Sequence, residues 1–285
     1  MDPVAEKFLH FYPGEVEVIT NFFSEERWRK IAGGRTASII TSIAMFYDLE
    51  SPLDFVREVA SCLSGNGVWH FEQSYMPRMV DQLAYDTICH EHVEYYALRQ
   101  IRWLLGRAGL KIIGLEPSDV NGGSLAVTAA HARSAHPEAV AAIAALADAE
   151  RSAGYETMAP LTRFRDRVFA HREELKRVVQ DHLSNGRTLF GYGASTKGNV
   201  LLQFCGFSTS EIPCIGEVNP EKFGCFTPGT NIPIVSETEM HALEPDALLV
   251  LPWHFRENLI EREHGFIARG GRLLFPLPKI GFHPA

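Results

Sequence analysis

The triplet His90-Glu91-His92 holds the residue types in this chain that are best suited to proton transfer. Histidine takes up a proton near neutral pH, and a nearby carboxylate can fix its tautomer and stabilise the cation. A bare H-x-H pattern also suits a metal, but no third ligand stands at a recognisable spacing. The triplet therefore predicts an acid/base site without a metal, with metal binding and a structural polar loop as alternatives.

A long polar segment surrounds the triplet. It runs from a predicted strand that ends near Glu72 to a helix that begins after Tyr96, so it lies at the carboxyl end of a strand, where open α/β sheets bind their ligands. Three tyrosines in this segment are candidates for the same site. We expect Tyr75 and Tyr85 to contact a substrate and Tyr96 to assist the chemistry.

A second candidate site is the small-residue segment from Gly191 to Gly198, which follows a predicted strand and opens a helix. Backbone N–H groups at such a turn can bind an anion, and a lysine adds positive charge. The dinucleotide fingerprint G-x-G-x-x-G fails at Thr196, and the P-loop pattern fails as well. We expect Gly193, Ser195 and Lys197 to contact a phosphate; a plain tight turn is the alternative.

The pattern of apolar residues predicts two α/β regions joined by helices. Strands are expected at Val16–Ile19, Ala37–Ala44, Gly67–Glu72, Leu110–Leu115 and Leu125–Ala130, and the last two are expected to be antiparallel. The β-branched run from Ala37 predicts a strand buried on both faces. After a helical connector, further strands are expected at Thr188–Gly191, Ile212–Gly216, Ala247–Leu251 and Arg272–Phe275. We therefore predict domains at 1–133 and 186–285, with the connector at 134–185.

The composition and charge of the chain limit the classes of partner that we expect. The net charge is −8 with no basic run, which argues against nucleic acid. The sequence contains no apolar run of about 18 residues, so it predicts no membrane-spanning helix. Residues 1–7 lack the apolar core of a signal peptide. The five cysteines form no C-x-x-C pair, as is typical of a reduced cytoplasmic protein.

Four segments in order resemble one family: Tyr85 to His92, Asn121-Gly122-Gly123-Ser124, Gly191 to Gly198, and Phe226 to Thr230. They are similar to the sugar C-methyltransferases, class I S-adenosylmethionine-dependent enzymes that act on nucleotide-linked keto-deoxysugars. The resemblance covers nearly the whole chain. It implies an open methyltransferase sheet followed by a C-terminal Rossmann-like α/β domain, which helps to bind the nucleotide sugar.

The resemblance also implies a mechanism and residue roles. The second histidine of the family's H-E-H motif is the base, and it falls on His92, with the glutamate on Glu91; His90 is a further candidate. The base removes a proton beside the ketone, and the enolate carbon then attacks the methyl group of S-adenosylmethionine. The other candidate contacts are with the substrate, at Asn121 and Gly122, and with the cofactor, at Asp2, Asn21, Phe22, Ala44, Met45 and Phe46.

The chain departs from the family in several places. The family opens with a cysteine-rich zinc domain and carries a glycine-rich turn for the cofactor, and neither pattern occurs here, so Asp2-Pro3 resembles the end of the family's second strand. We therefore expect an N-terminally incomplete methyltransferase sheet with impaired cofactor binding. Cys89 replaces the common tyrosine before the motif. Two alternatives stay open: a nicotinamide-dependent reductase with Glu217 as its ribose-binding acid, and a non-catalytic protein that binds nucleotide sugars.

Overall fold

The computed structural model describes residues 1–284. Along the chain, its helices and strands are α1 (Glu25–Ala32), β1 (Ala37–Ile43), α2 (Pro52–Cys62), β2 (Leu63–Ser74), α3 (Met76–Asp81), α4 (Leu98–Arg107), β3 (Leu110–Ser118), β4 (Ser124–His131), α5 (Val140–Ala153), α6 (Ala159–Ser184), β5 (Leu189–Tyr192), α7 (Thr196–Cys205), β6 (Ile215–Glu217), β7 (Ile234–Ser236), α8 (Glu237–Ala242), β8 (Ala247–Val250), α9 (Arg256–Arg262), α10 (His264–Ala268), β9 (Arg272–Phe275) and β10 (Gly281–His283).

The chain divides into two compact units that interleave along the sequence. The N-terminal unit comprises Met1–Gln73, Tyr96–Pro117 and Leu125–Asp148, and the C-terminal unit comprises Ser74–Tyr95, Ser118–Ser124 and the chain from Ala149 onward. These units do not follow the linear ranges 1–133, 134–185 and 186–285. The segments that carry the histidine triplet and the Asn121 turn pack with the C-terminal unit, although they lie far from its other residues in sequence.

The N-terminal unit contains a four-stranded sheet in the order β1-β2-β4-β3. Strands β1 and β2 are parallel, with Ile43 opposite Glu72. An aromatic core covers this sheet: the rings of Trp69 and Phe71 stack with their centroids 4.2 Å apart, and Phe46 packs against both. The neighbouring positions of β3 and β4 agree with the expected pairing of these two strands.

Two expectations for the N-terminal unit are wrong. Residues 16–19 form no strand, because their backbone groups make single bonds instead of a ladder: Val16 N donates to Pro13 O, and Ile19 O accepts from the N–H groups of Asn21 and Asp2. The segment from Ala37 is a strand, but it is not buried on both faces, since Ile39 and Ile43 are 67% and 54% exposed. Strand β1 stands at the end of the strand order, so it has a neighbour on one side only.

The C-terminal unit contains a six-stranded sheet in the order β10-β9-β8-β5-β6-β7. All neighbours are parallel except β9 and β10, which are antiparallel. From β5 the chain moves outward through β6 and β7 and then returns to place β8 on the other side of β5. The strand order therefore reverses between β5 and β8, and open α/β sheets bind ligands outside the carboxyl ends of such strands.

The four strands that the sequence predicts for this unit are confirmed as β5, β6, β8 and β9, and β7 and β10 are additional. Their apolar side chains are fully buried, as at Leu189, Leu248 and Leu273, so the strands are held from both faces. The expected helical connector appears as α5 and α6. No helix among residues 1–284 has the length and apolar character that crossing a membrane would require.

Candidate active site

The candidate site lies where β5 and β8 end, and two loops of the C-terminal unit border it. After β5 the chain turns at Gly193, whose φ is +81°, and enters α7. After β8 it continues through Pro252 to Trp253. A side chain at Gly193 would place its Cβ 2.7 Å from Pro252 Cδ, so only glycine lets the two loops approach this closely.

Lys197, in the first turn of α7, connects two of the motif segments. Its ammonium Nζ donates a hydrogen bond of 2.6 Å to the carbonyl oxygen of Asn121. Burial lowers the pKa of Lys197, and the negative charge of Asp86 opposes that change. The lysine therefore brings a partly desolvated positive charge to the reversal point of the sheet, where its interaction with a second charge is stronger than in bulk water.

Asp86 is the buried anion of this site, with 1% of its surface exposed. The indole Nε1 of Trp253 donates a hydrogen bond of 2.7 Å to its Oδ2. Burial raises the pKa of Asp86, and the ammonium of Lys197 opposes this shift. Gly122 supports the arrangement, because a Cβ there would contact the Trp253 ring at 3.4 Å.

Two histidines lie within the electrostatic reach of Lys197. Burial, with a further contribution from the Lys197 charge, lowers the pKa of His92 from 6.5 to about 4. The same two causes lower the pKa of His254 to about 4. Both imidazoles are therefore neutral at pH 7, so each can accept a proton. The backbone of Thr87 hydrogen-bonds to His92 and helps to hold the ring in place.

His92, Asn121, Gly122, Gly193 and Lys197 all lie in the C-terminal unit, and Lys197 bonds directly to Asn121. Sequence reasoning missed Trp253 and His254 as site residues and underused Asp86. A signal for them existed, because Trp253-His254 directly follow a strongly apolar strand and so stand at its carboxyl end.

Other candidates in the C-terminal unit have different surroundings. His90 and Glu91 are exposed. The hydroxyl of Tyr75 donates to Glu150 Oε1 at 2.6 Å, and that of Tyr85 lies 3.2 Å from His171 Nδ1, so both tyrosines are buried against packing partners. Ser195 caps α7, since its Oγ accepts a hydrogen bond from the backbone N–H of Gly198.

The turn from Gly191 to Gly198 is also bound by a carboxylate of the chain itself. Glu217, at the end of β6, accepts hydrogen bonds from the backbone N–H groups of Ala194, Val218 and Asn219, at 2.8 to 3.0 Å. Those bonds, with the Lys222 charge, outweigh burial and lower the pKa of Glu217. A nicotinamide-dependent reductase needs an acid at this position for ribose hydroxyls. Here that carboxylate is already engaged, which disfavours the reductase.

The cofactor candidates lie in the N-terminal unit and are mostly exposed. Asp2 Oδ1 accepts a hydrogen bond from the backbone N–H of Val4, and Asn21 Oδ1 accepts one from that of Phe22. The ring of Phe22 is 70% exposed. Ala44 and Met45 follow β1, whereas Phe46 is buried in the aromatic core, where Tyr96 packs against it at 5.3 Å between ring centroids.

These residues do not fit S-adenosylmethionine as a ready-made site. The cofactor needs an acid for its ribose, a face for its adenine and close backbone approach for its methionine part. The acid and amide are bound to their own backbone, and the ring of Phe46 is enclosed by its neighbours. No group of three or more His, Cys, Asp or Glu residues in the described chain, 1–284, is arranged to hold a metal ion.

Comparison with known proteins agrees with the fold. A profile described as "Methyltransferase domain" matches residues 6–115, and one described as "C-methyltransferase C-terminal domain" matches residues 119–278. The open sheet of the N-terminal unit and the Rossmann-like sheet of the C-terminal unit are thus those of a methyltransferase. More particularly, the chain belongs to the family of C-methyltransferases that carry this C-terminal domain.

One curated relative is C-methyltransferase NovU from Streptomyces niveus, which is 31% identical over 265 residues. The match covers 93% of this chain and 63% of NovU, so the chain spans less than two thirds of the length of that relative. A solved structure of LepI with SAH and a substrate analogue is 13% identical, with a TM-score of 0.30, over 34% of this chain and 27% of that one. So low a score supports no argument.

Proposed function

We propose that this chain acts in the S-adenosylmethionine-dependent C-methylation of a nucleotide-linked keto-deoxysugar, and that His92 removes the proton beside the ketone. Membership of the C-methyltransferase family supports the reaction class. The four ordered motif segments support the substrate class. The single observation that carries the role of His92 is its half-buried, neutral imidazole within electrostatic reach of the half-buried Lys197 ammonium.

The charge beside His92 explains how such a weakly basic histidine can act as a base. With Lys197 nearby, protonation of the free imidazole is unfavourable, which accounts for part of its low pKa. Burial is the larger cause of the low pKa of His92, and it remains when a ligand binds. A bound nucleotide sugar is anionic, so its negative charge offsets the contribution of Lys197 and favours the protonated imidazole. His92 is therefore a better proton acceptor with the anionic substrate present than without it.

The proposed step transfers one proton from the substrate carbon beside the ketone to His92. The carbon–hydrogen bond beside the ketone breaks, and the proton passes to a ring nitrogen of His92. The electron pair delocalises onto the ketone oxygen, which becomes an enolate oxygen. The imidazolium and the enolate appear together, so the site gains no net charge, and Lys197 favours the oxygen that becomes negative.

Exchange of the substrate proton with deuterated solvent tests this proposal without the cofactor. The chain is incubated with a deoxythymidine-diphosphate keto-deoxysugar, and incorporation of deuterium beside the ketone is followed by mass spectrometry. We expect exchange well above that of buffer with bovine serum albumin. No exchange above that control, with the sugar bound, contradicts the proposed chemistry.

A second candidate function is binding of the nucleotide sugar without methylation. The exposure and self-bonded polar groups of Asp2, Asn21 and Phe22 favour it. Methyl transfer from labelled S-adenosylmethionine to the same sugar separates the two. Proton exchange accompanied by methyl transfer supports the enzyme, whereas binding with neither reaction supports the non-catalytic protein.

A further inference from the structure

His254 has no role in the function proposed so far, yet it lies on the loop after β8 that borders the same site. It follows Trp253, whose indole is bound to Asp86, and so its backbone is anchored to the buried charge. Its ring packs against Phe255 at 4.3 Å between centroids and lies edge-on to Trp253 at 5.7 Å. The position of the ring is therefore fixed by packing rather than left free in solvent.

The Nδ1 atom of His254 is out of contact with solvent and has no hydrogen-bond partner within residues 1–284. An unpaired buried polar atom costs about 1–3 kcal/mol, so such an atom calls for an explanation. Two other histidines of this unit have a ring nitrogen bonded to a backbone carbonyl: His171 Nε2 lies 2.7 Å from Pro276 O, and His182 Nε2 lies 3.0 Å from Thr188 O. His254 differs from both, and it is the one of the three at the reversal point of the sheet.

The chemistry of a neutral imidazole suggests what His254 binds. It carries one N–H donor and one acceptor nitrogen, and burial, with the Lys197 charge, lowers the pKa at which it takes a second proton. A neutral imidazole can polarise a carbonyl group by donating its N–H hydrogen bond to the carbonyl oxygen. Lys197, in the first turn of α7, carries a positive charge that stabilises an oxygen atom as it becomes negative. A ketone oxygen that becomes an enolate oxygen is a group of this kind.

We propose that His254 donates a hydrogen bond to the ketone oxygen of the substrate and stabilises it as an enolate while His92 removes the proton. This inference rests on the proposed function. In the step, the carbon–hydrogen bond breaks, its proton moves to His92, and its electron pair moves to the oxygen. His254 keeps its own proton throughout. Removal of one such donor typically slows a reaction by ~10²–10³-fold.

Solvent deuterium exchange and substrate calorimetry on the full chain test the role of His254. We expect His254→Phe to slow exchange by ~10²–10³-fold while the dissociation constant for the nucleotide sugar stays within about threefold of the wild-type value. His254→Gln keeps an N–H donor and should recover about tenfold of the loss. The control is Glu257→Gln, an exposed position three residues further on, which should exchange as wild type does.

Each outcome decides something. If His254→Phe and His254→Gln are folded by circular dichroism and exchange as fast as wild type, the inference is wrong while the proposed function stands. Weaker binding with an unchanged exchange constant also overturns it, because the residue then only holds the ground state. If His254→Phe does not fold, His254→Gln decides by the same two measurements. A wild-type chain that neither binds nor exchanges the sugar proton contradicts the proposed function itself.

Discussion

Both units of this chain are built on α/β sheets, but their polar residues differ in burial and in hydrogen bonding. In the C-terminal unit, β5 has parallel neighbours on both sides, and the polar residues near its end are half-buried or buried and hydrogen-bonded to distant parts of the chain. In the N-terminal unit, β1 has one neighbour, and the polar candidates before it are exposed or bonded to their own backbone.

The proposed site therefore belongs to the sheet whose strand order reverses inside it. A reversal leaves a crevice between loops that leave neighbouring strands in opposite directions. Lys197 stands in the helix that follows one of these loops and Trp253 on the other, and Asp86 bonds to Trp253 and feels the charge of Lys197. Strand β1 has no further strand on its other side in the described chain, so it forms no such reversal. We therefore assign the proton chemistry to the C-terminal unit.

The largest expected effect comes from His92. Replacing it with Asn should slow deuterium exchange of the substrate by ~10²–10⁴-fold, since a general base contributes about that factor. Binding of the nucleotide sugar should persist. The control is Val93→Ala, at the adjacent exposed position, which should exchange normally. If His92→Asn exchanges at the wild-type rate, another group is the base. The assignment of the proton chemistry to the C-terminal unit through His92 would then be wrong.

Asp86 should have the next largest effect, on stability. Asp86→Asn removes the negative charge that opposes the desolvation of the half-buried Lys197 and weakens the bond that Asp86 accepts from the Trp253 indole, which we expect to cost about 1–3 kcal/mol. Asp54→Asn in the N-terminal unit breaks an exposed pair with Arg57 at 3.1 Å and should cost about 0–1 kcal/mol. Urea unfolding measures both. The double variant Asp86→Asn/Lys197→Met should be less destabilised than the sum of its single changes; an additive result would contradict the electrostatic coupling of these two residues.

Ligand binding should also differ between the units. Lys197→Met should weaken binding of the nucleotide sugar by about 1.5–3 kcal/mol, the worth of one charged hydrogen bond. Lys279→Met removes an exposed lysine of the same unit and should leave calorimetry unchanged. An unchanged dissociation constant in Lys197→Met would show that the Gly191–Gly198 turn is purely structural.

The N-terminal unit should bind its expected ligand poorly. We expect S-adenosylmethionine to bind the chain with a dissociation constant weaker than about 1 mM, or about −4 kcal/mol, because the candidate residues form no enclosed site. Calorimetry with the cofactor alone measures this. Tight, stoichiometric binding would remove the contrast between the two units.

The smallest effect concerns pH. The unfolded chain takes up a proton at His92 and at His254 near pH 6.5, whereas the folded chain does so only near pH 4. Stability from the neutral rings is therefore complete above about pH 6.5 and is lost as the pH falls toward 4. The variant His92→Gln/His254→Gln should flatten this slope by a few tenths of a kcal/mol per pH unit, after solvent screening. Identical slopes in urea unfolding would contradict the two lowered pKa values.

The sequence by itself indicated the family and four of the six strands of the C-terminal sheet, and it named the candidate site residues. Apolar runs bounded by turn residues were sufficient for Arg272–Phe275, which is β9 as predicted, because a buried parallel strand must be apolar on both faces. The histidine triplet and Lys197 could be named because their chemistry is carried by residue type. The roles of Glu91, His90, Tyr75 and Tyr85 stay predictions.

Only the tertiary structure decided which of these residues meet. Asp86 and Trp253 are 167 positions apart, and Lys197 and Asn121 are 76 apart, so no local pattern could pair them. It also decided that Val16–Ile19 is not a strand and that β1 is exposed, because a strand needs a neighbour and a cover as well as β-branched residues. Residue type sets what a side chain can do, whereas burial and distant neighbours set its charge and its partner.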